Sequence, residues 1–502
     1  GDDSLTANAT AGNDTITYQP GLNDDGQLQI NSNTSLSFSS IENRTIDSGT
    51  GADTLTVTAG GSDDAIDVLA GSVVTVNNES VTHVHDSTND NLVLVAGDGD
   101  DTVTIAAAHG WTTIDVQGGS PSASDTATVT GDGTTVTATL SASSSITGGG
   151  LGTVNLSGIE TATVNAGTGD LVVDGSSGAD DYTVRPTGAN TATISIDGIH
   201  PLLNSNNSGA LTINDGAAGD GDSLTVNYDD ADQAVSIDDN SVDEGVLKDV
   251  GYTAANIATL AVTTRGGADT VTLVDGTSTP VTVDGGGSQN DTLTMLGDGT
   301  AANTYTVQPG TSVTMNTTTA DFTGVETLLL NSNSQSGSVT VTADGAANQV
   351  SYVGDAAATG AATISIDGAL AASLSNFAAA SSVTLNVGDG DDTLTVAPNA
   401  ATDLATVTIA ASTGSDSLTV EGDAGADSLS YTPGAADADG TVVIDGVTTA
   451  FSSVEGLNLS GLGGDDSLTA NATAGNDTIT YQPGLNDDGQ LQINSNTSLS
   501  FS

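Results

Sequence analysis

The sequence has very few basic residues and no cysteine. It carries 4 Lys+Arg against 64 Asp+Glu, which gives a net charge of −60 over 502 residues. This charge excludes nucleic acid and anionic membrane surfaces as electrostatic partners and favours cations instead. Without cysteine, disulfides do not hold the chain together, and the redox compartment cannot be inferred from them.

Aromatic residues are scarce as well, at 3% of the chain, and no apolar run is long enough to cross a bilayer. A globular domain of this length normally has a bulkier core. Disorder is the usual alternative for an acidic chain with 63 Gly. Val, Ile, Leu and Thr nevertheless alternate persistently, which is typical of β-strands. We therefore expect an ordered chain without membrane insertion.

The most frequent feature is a short string, Asp-[Ser/Thr]-apolar-Thr-apolar, usually preceded by Gly turns. It reads GTGADTLTV at 49–57, GDGDDTVTI at 97–105 and GDGDDTLTV at 388–396. Alternation places the apolar side chains on one face of a strand and Thr on the other. A second string, such as GIETATV at 158–164, and a third, such as ATISIDG at 192–198, alternate in the same way.

The spacing of these strings predicts the fold. Successive Asp positions are often about 11 or about 22–24 residues apart, which suits the coils of a β-solenoid. We therefore predict an all-β parallel β-solenoid (β-helix) that is elongated and repetitive. Tandem β-sandwich domains are the alternative, but they would have bulkier aromatic cores and edges about 100 residues apart. At roughly 22 residues per coil and about 4.8 Å between coils, 463 residues would rise on the order of 100 Å.

The beginning of the sequence recurs at its end. Residues 1–39 are identical to residues 464–502, an offset of 464 − 1 = 463. Such identity is typical of a tandem array. We predict that residues 1–39 end one tandem repeat, that residues 40–463 are the remainder of one period of continuous β-solenoid, and that residues 464–502 start the next repeat.

The strings at 49–57, 97–105 and 388–396 resemble the calcium-binding repeat of secreted hemolysin-type (RTX) proteins, glycine-glycine-x-glycine-x-aspartate-x-apolar-x. In that family, turn carbonyls and the aspartate hold Ca²⁺ between the coils of a parallel β-roll. The resemblance implies Ca²⁺ as a cofactor. The aspartates that match the family's ligand position are Asp53, Asp101, Asp269, Asp392, Asp416, Asp427 and Asp466.

Two interpretations of these aspartates stay open. The family's first glycine is missing from the three strings, where Ser48, Ala96 and Val387 stand. The strings are also scattered, whereas the family's sites need repeats in immediate tandem. Gly and Asp are good turn formers in any protein, so plain turns are the alternative to Ca²⁺ sites.

The acidic, cysteine-free and duplicated chain also resembles giant repetitive surface proteins and adhesins of bacteria. This resemblance implies a location outside the cell or at the cell surface. We predict a structural repeat unit of an extracellular filament or fibre, whose partner is itself as adjoining repeats or subunits. The alternative is the stalk of a Ca²⁺-dependent RTX-like adhesin whose ligand-binding part lies elsewhere. A third alternative is a 463-residue subunit that polymerises non-covalently.

Few residues offer other chemistry. His83 and His85 share a strand face as a candidate Zn²⁺ pair, but the only third ligand nearby is Asp86, which alternation places on the other face. We expect them to be solvent-facing strand residues. His109 and Trp111 lie in a predicted loop, where Trp111 is expected to fill a bend. No Ser/His/Asp set or phosphate-binding loop stands out, so we predict that the chain is not an enzyme.

Overall fold

The structure is a computed structural model. It describes residues 1–85, 89–120, 124–214, 219–287, 290–355, 358, 360–398, 404–485 and 487–502. The regular secondary structure of this part of the chain is β-strand, and it contains no helix long and apolar enough to span a bilayer.

The strands, numbered in chain order, are β1 Ser4–Asn8, β2 Thr15–Pro20, β3 Gly26–Ile30, β4 Leu36–Phe38, β5 Asn43–Asp47, β6 Thr54–Thr58, β7 Ala65–Leu69, β8 Val73–Val76, β9 Glu79–Val84, β10 Asn91–Asp98, β11 Thr102–Ala106, β12 Thr113–Ser120, β13 Thr126–Thr130, β14 Val136–Thr139, β15 Ser144–Gly148, β16 Thr153–Ser157, β17 Thr161–Asn165, β18 Leu171–Asp174, β19 Asp181–Gly188, β20 Thr191–Ile196, β21 Ile199–Asn206, β22 Leu211–Ile213, β23 Asp222–Asn227, β24 Ala234–Ile237 and β25 Ser241–Asp243. They continue with β26 Val250–Tyr252, β27 Ile257–Thr263, β28 Thr270–Val274, β29 Val281–Asp284, β30 Thr292–Leu296, β31 Asn303–Gln308, β32 Ser312–Met315, β33 Thr318–Thr323, β34 Thr327–Asn331, β35 Gly337–Thr342, β36 Gln349–Gly354, β37 Ala362–Ile366, β38 Ala369–Ser375, β39 Ser382–Gly388, β40 Thr393–Ala397, β41 Thr406–Ala411, β42 Ser417–Glu421, β43 Ser428–Pro433, β44 Gly440–Ile444, β45 Val447–Ser452, β46 Gly456–Ser460, β47 Ser467–Ala470, β48 Ile479–Pro483, β49 Gly489–Ile493 and β50 Ser498–Phe501.

The chain divides into two units, one of residues 1–228 and 240–261 and the other of residues 229–239 and 262–502. Within each unit the strands belong to two sheets. In the first unit the chain passes directly from sheet to sheet through β10, β11, β12 and β13, so that β10 pairs in parallel with β12 and β11 with β13. In the second unit β40 pairs in parallel with β42 and β39 with β41. Each unit is therefore a parallel β-solenoid, as predicted.

Direct coils have the predicted length. Asn91 pairs with Thr113 and Thr102 with Thr126, so the offsets are 113 − 91 = 22 and 126 − 102 = 24 residues. Other coils are longer, because Ala65 pairs with Thr102 at an offset of 102 − 65 = 37 residues. A uniform coil of about 22 residues is therefore wrong for much of the chain.

The longer coils contain three-stranded antiparallel meanders. In β7–β8–β9, the last strand pairs in parallel with β5 of the layer before, and the first strand pairs in parallel with β11 of the layer after. The meanders β14–β16, β19–β21, β31–β33, β36–β38 and β43–β45 are joined to their neighbours in the same way. Each meander thus adds extra strands to one sheet before the coil continues.

A recognisable turn in the third repeated string closes several of these meanders. Two residues with positive φ, Asp and then Gly, connect the second strand to the third. This is the combination that a two-residue type I′ hairpin turn requires. The pairs are Asp197 and Gly198 (φ 50° and 65°), Asp367 and Gly368 (53° and 78°), and Asp445 and Gly446 (45° and 94°).

The core is built from one face of each strand. In β6, Leu55 and Val57 are fully buried, whereas Thr54 and Thr56 are only partly buried. The same alternation recurs along both units, as the sequence predicted. Tyrosine fills the core in some layers, with fully buried side chains at Tyr18, Tyr182, Tyr228, Tyr305, Tyr352 and Tyr431.

Candidate functional site

Buried carboxylates stand just before many strands and accept backbone hydrogen bonds from the layer before. The N–H of Asp64 donates to Oδ1 of Asp101 at 2.7 Å, and the N–H of Asp101 donates to Oδ1 of Asp125 at 2.8 Å. The N–H of Asp125 in turn donates to Oε2 of Glu160 at 2.7 Å. We call such a row an aspartate ladder. A buried N–H without a partner would cost about 1–3 kcal/mol, so each rung stabilises the stack.

Ladders occur in both units. Those in the first unit are Asp14–Asp53–Asp90, Asp64–Asp101–Asp125–Glu160 and Asp180–Asp222. Those in the second unit are Gln233–Asp269–Asp291–Glu326, Asn348–Asp392–Asp416–Glu455 and Asp427–Asp466. The exposed pair Asp3–Glu42 repeats the contact at 2.8 Å.

Glutamates of the second repeated string end three ladders. Glu160, Glu326 and Glu455 each donate their N–H to the carbonyl of the last aspartate, at 3.0, 3.1 and 3.0 Å. Each also accepts the N–H of that aspartate with Oε2. The longer side chain can fold back over its own backbone in this way, which explains why this string carries Glu rather than Asp.

The second carboxylate oxygen divides the ladder aspartates into two groups. In the first group Oδ2 closes the aspartate's own turn by accepting the N–H of the residue four positions earlier. Thr10 donates to Asp14 at 2.9 Å, Gly60 to Asp64 at 2.8 Å and Asp423 to Asp427 at 3.2 Å. In Asp14 and Asp64 the other oxygen, Oδ1, accepts the side-chain amide of Asn31 and of Asn77, respectively.

In the second group Oδ2 is buried and makes no hydrogen bond with any described residue. Burial raises the pKa of the carboxyls of Asp53, Asp101, Asp269 and Asp416 above the usual range. Their remaining oxygens therefore favour a proton or a cation. The members of this group, all at most 1% exposed, are Asp53, Asp101, Asp125, Asp269, Asp392 and Asp416.

The seven aspartates predicted as Ca²⁺ ligands all belong to ladders. Five of them, Asp53, Asp101, Asp269, Asp392 and Asp416, belong to the group with a buried, unbonded Oδ2. Asp427 closes its own turn, and exposed Asp466 accepts the N–H of Asp427 at 2.9 Å. Each ladder contributes one such carboxylate per layer. Within the described ranges, no three of these side chains converge as a metal-binding group.

A different group does converge, at the end of the ladder Asp14–Asp53–Asp90. Nδ1 of His83 lies 3.2 Å from Nε2 of His85, and Nδ1 of His85 lies 2.9 Å from Oδ2 of Asp90. One ligand atom from each of the three residues lies within 4.8 Å of the other two. Oδ2 of Asp90 also accepts a hydrogen bond from Oγ of Ser48 at 3.1 Å. We call His83, His85 and Asp90 the histidine cluster.

The structure corrects the expectation for the two histidines. His83 lies on the inward face of β9, two residues after the core residue Val81, and is 3% exposed. The prediction of a solvent-facing pair is therefore wrong for His83. Burial, together with nearby His85, lowers the pKa of His83 to about 4, so its ring is neutral at pH 7. Asp86, the third ligand considered from the sequence, lies outside the described residues.

Sequence reasoning missed Asp90, although a signal for it was present. The segment Asp90-Asn91-Leu92 repeats the order of the common string, with Asn in place of Ser or Thr. That order predicts a ladder aspartate before β10. The string does not specify that this aspartate lies beside the histidines at the end of β9.

The loop between β11 and β12 covers the histidine cluster. Trp111 is 3% exposed, and its ring centroid lies 4.3 Å from that of His83 and 4.5 Å from that of His85. His109 is 1% exposed; its Nδ1 accepts the N–H of Trp111 at 3.0 Å, and its Nε2 lies 3.1 Å from the carbonyl oxygen of Leu151. The predicted loop is confirmed. From this loop, Trp111 packs against the imidazole rings of His83 and His85.

Comparison with known proteins adds no family to this picture. No protein-family model matches the chain, and a search of curated proteins finds no relative.

Proposed function

We propose that this chain is one period of a tandem β-solenoid array that serves as a structural filament or fibre outside the cell or on its surface. Its role would be mechanical rather than catalytic. The observation that supports this proposal is that the two identical copies of the duplicated segment pack against neighbouring layers on opposite sides. The N-terminal copy is covered by the layers that follow it, and the C-terminal copy lies on the layers that precede it.

Strand pairing gives the first line of support. Internal meanders pair through their last strand with the layer before and through their first strand with the layer after. The N-terminal meander β2–β3–β4 pairs through its first strand with β6, whereas the identical C-terminal meander β48–β49–β50 pairs through its last strand with β46. The two copies therefore hold complementary halves of the junction that an internal meander makes.

Side-chain burial follows the same division. Tyr18 is 1% exposed, but its equivalent Tyr481 is 58% exposed. Conversely, Leu36 is 47% exposed and its equivalent Leu499 is fully buried. Complete burial of such a side chain contributes about 1.5–3 kcal/mol, so covering both sides of one copy would stabilise the segment strongly.

The ladders divide in a matching way. Asp427 donates to Asp466 in the C-terminal copy, and Asp3, the residue identical to Asp466, donates to Glu42 in the N-terminal copy. Joined through the shared aspartate, these halves would form a ladder of aspartates that ends on a glutamate. The complete ladders ending at Glu160, Glu326 and Glu455 have this order.

The junction can be tested by appending a second copy of residues 40–84 to the C-terminus. We expect amide hydrogen exchange in β48 to slow toward the rate measured in β2, because the appended strands would pair as β5 and β6 do. A chain with the same appended residues in scrambled order is the control. Exchange in β48 that stays equally fast in both chains would contradict the proposal.

The size of the native material separates a covalent array from assembled subunits. A covalent array predicts a very large band on a denaturing gel, whereas non-covalent polymerisation predicts a band of about one period.

Electron microscopy tests the fibre itself, since a continuous solenoid should give filaments with an axial repeat on the order of 100 Å. Absence of filaments in native material would argue against the proposal.

A Ca²⁺-dependent RTX-like stalk is the second candidate function. It is favoured by the buried Oδ2 atoms of the second ladder group, which lie in turns that resemble the RTX repeat. This proposal predicts that EGTA lowers the unfolding temperature sharply and that Ca²⁺, but not Mg²⁺, restores it. An unfolding temperature unaffected by EGTA would leave the aspartates as hydrogen-bond acceptors and eliminate this candidate.

A further inference from the structure

We propose that His83 and His85 bind a divalent transition-metal ion of the Zn²⁺ class, with Asp90 as the carboxylate that orients His85. The site is independent of the filament proposal, because its residues all lie within the layers of β9 and β10. It also differs from the RTX-like turns in its ligands, since imidazole nitrogens favour Zn²⁺, Cu²⁺ or Ni²⁺ over Ca²⁺.

The separation of the two nitrogens fits a shared metal ion. Nδ1 of His83 and Nε2 of His85 are 3.2 Å apart. Two nitrogens bound to one tetrahedral Zn²⁺ at about 2.0–2.1 Å each would lie about 3.3 Å apart. The observed separation therefore matches the one that a shared ion requires, and the rings need only turn so that both lone pairs face the ion.

Asp90 fixes the ring of His85 for this role. The hydrogen bond at 2.9 Å assigns the proton of His85 to Nδ1, where it is donated to Oδ2 of Asp90. The lone pair of Nε2 then faces His83. Carboxylate–imidazole–metal arrangements of this kind are the usual way in which proteins orient a histidine ligand and raise its basicity.

His83 changes tautomer without gaining or losing a proton. In the hydrogen-bonded pair its proton is on Nδ1, which donates to His85. When the metal binds Nδ1, the proton moves to Nε2, a buried atom that makes no hydrogen bond with any described residue. Nδ1 of His83 and Nε2 of His85 then each present a lone pair to the ion, and water can complete its coordination through the partly exposed side of His85, whose side chain is 14% exposed.

Trp111 provides a direct reporter. It is the only tryptophan of the chain, and its ring centroid lies within 4.5 Å of those of both imidazole rings, tilted against His83 and edge-to-face with His85. A paramagnetic ion bound between the histidines should quench its fluorescence. The 64 acidic side chains will also attract cations diffusely, so the titration needs a large excess of Mg²⁺ to occupy them.

The experiment is a titration of the full chain with Cu²⁺ and Co²⁺ in excess Mg²⁺, followed by Trp111 fluorescence and by the visible absorption of Co²⁺, with Zn²⁺ as competitor. We expect saturable quenching at one equivalent, a Co²⁺ spectrum typical of nitrogen ligands, and reversal of both by Zn²⁺. His85→Gln should abolish these signals. Asp90→Asn should weaken binding by about 10–100-fold while Oδ1 still accepts the N–H of Asp53.

Two controls keep the test decisive. His200→Gln, which changes the histidine outside the cluster and this loop, should leave the titration unchanged. Replacement of His83, which lies in the core, can unfold its layer. The test therefore uses His85→Gln, a variant at a residue outside the strands. Circular dichroism checks that this variant is folded. Equal quenching and equal Co²⁺ spectra in the wild-type and His85→Gln chains would overturn the proposal.

Discussion

At the scale of the residue, the side chain that a ladder position needs depends on whether the position is first or in the middle of its ladder. A residue in the middle of a ladder donates its backbone N–H to the carboxylate of the layer after it, and its own carboxylate accepts the backbone N–H of the layer before it. The side chain of Asp is short enough to do this beside its own strand. The first residue only donates. Gln233 and Asn348 stand at that position, and their side-chain amides donate to carbonyl oxygens of their own turns.

Asp101 allows the acceptor role to be tested separately from the charge. Asp101→Ala should lower the free energy of opening of β11 by about 1–3 kcal/mol, because the buried N–H of Asp64 loses its acceptor. Asp101→Asn keeps Oδ1 and should cost much less. Hydrogen exchange in β11 measures both effects. Asp98→Ala, at the exposed last residue of β10, is the control, and an equal loss in all three variants would contradict the ladder.

Asp427 predicts a dependence of stability on pH. Burial, and then the charges of Asp423 and Asp445, raise the pKa of Asp427 to about 6. Because the folded-state pKa lies above the unfolded value of about 3.9, the protonated carboxyl stabilises the folded chain below pH about 4, and this contribution is lost as the pH rises through about 6.

The measurement is the free energy of opening of β43 by hydrogen exchange across this range. It should fall by about 1–3 kcal/mol more in the wild-type chain than in Asp427→Asn, which cannot ionise. Asp465→Asn, at an exposed position, should behave like the wild type. Parallel pH profiles for the wild-type and Asp427→Asn chains would show that this carboxyl does not control local stability.

At the scale of the element, the meanders were the part of the fold that the sequence analysis missed. An Asp-Gly pair between alternating apolar residues is the strongest short-range signal for an antiparallel hairpin. That signal was present in ATISIDG at 192–198 and in the related segment at 362–368. The regular spacing of the Asp strings favoured uniform parallel coils instead, although hairpins can lengthen a coil without disturbing the stacking.

Gly368 tests the importance of this turn. Its φ is 78°, and nothing lies within 4 Å of the position that a Cβ would take. Gly368→Ala should therefore destabilise β37 and β38 by about 1–2 kcal/mol through backbone strain alone. Gly345→Ala also meets open space but has no positive φ, so it should cost much less. Equal thermal stability of the two variants would contradict the assigned turn.

At the scale of the whole molecule, charge opposes stability. A net charge of −60 repels itself, and the described residues contain few basic groups to offset it. We expect the unfolding temperature to rise as NaCl increases from about 0.02 to about 0.5 M, since salt screens the repulsion. KCl should act equally. A flat profile would mean that tightly bound cations already neutralise the chain, which would favour the Ca²⁺-dependent alternative.

The sequence by itself determined the class of structure. Alternation with period 2 places one set of side chains on a single face only in a β-strand. Because Asp recurs before many strands at regular spacing, stacking of like positions was favoured, so the solenoid and its inward apolar rows followed from local pattern. The Asp-Gly pairs of the third string also carried a local signal for hairpin turns, although the regular spacing of the Asp strings outweighed it.

Only the tertiary structure decided which distant residues meet. The pairing of Asp64 with Asp101 depends on how many strands each coil contains. The meeting of His83 and His85 with Asp90 and Trp111 brings together residues from the end of β9, the start of β10 and the loop between β11 and β12. Loop closure has no period in the sequence, so these contacts could not be counted from it. The same limit explains why the sequence did not reveal the ladders, and why His83, which joins the histidine cluster, was expected to face solvent.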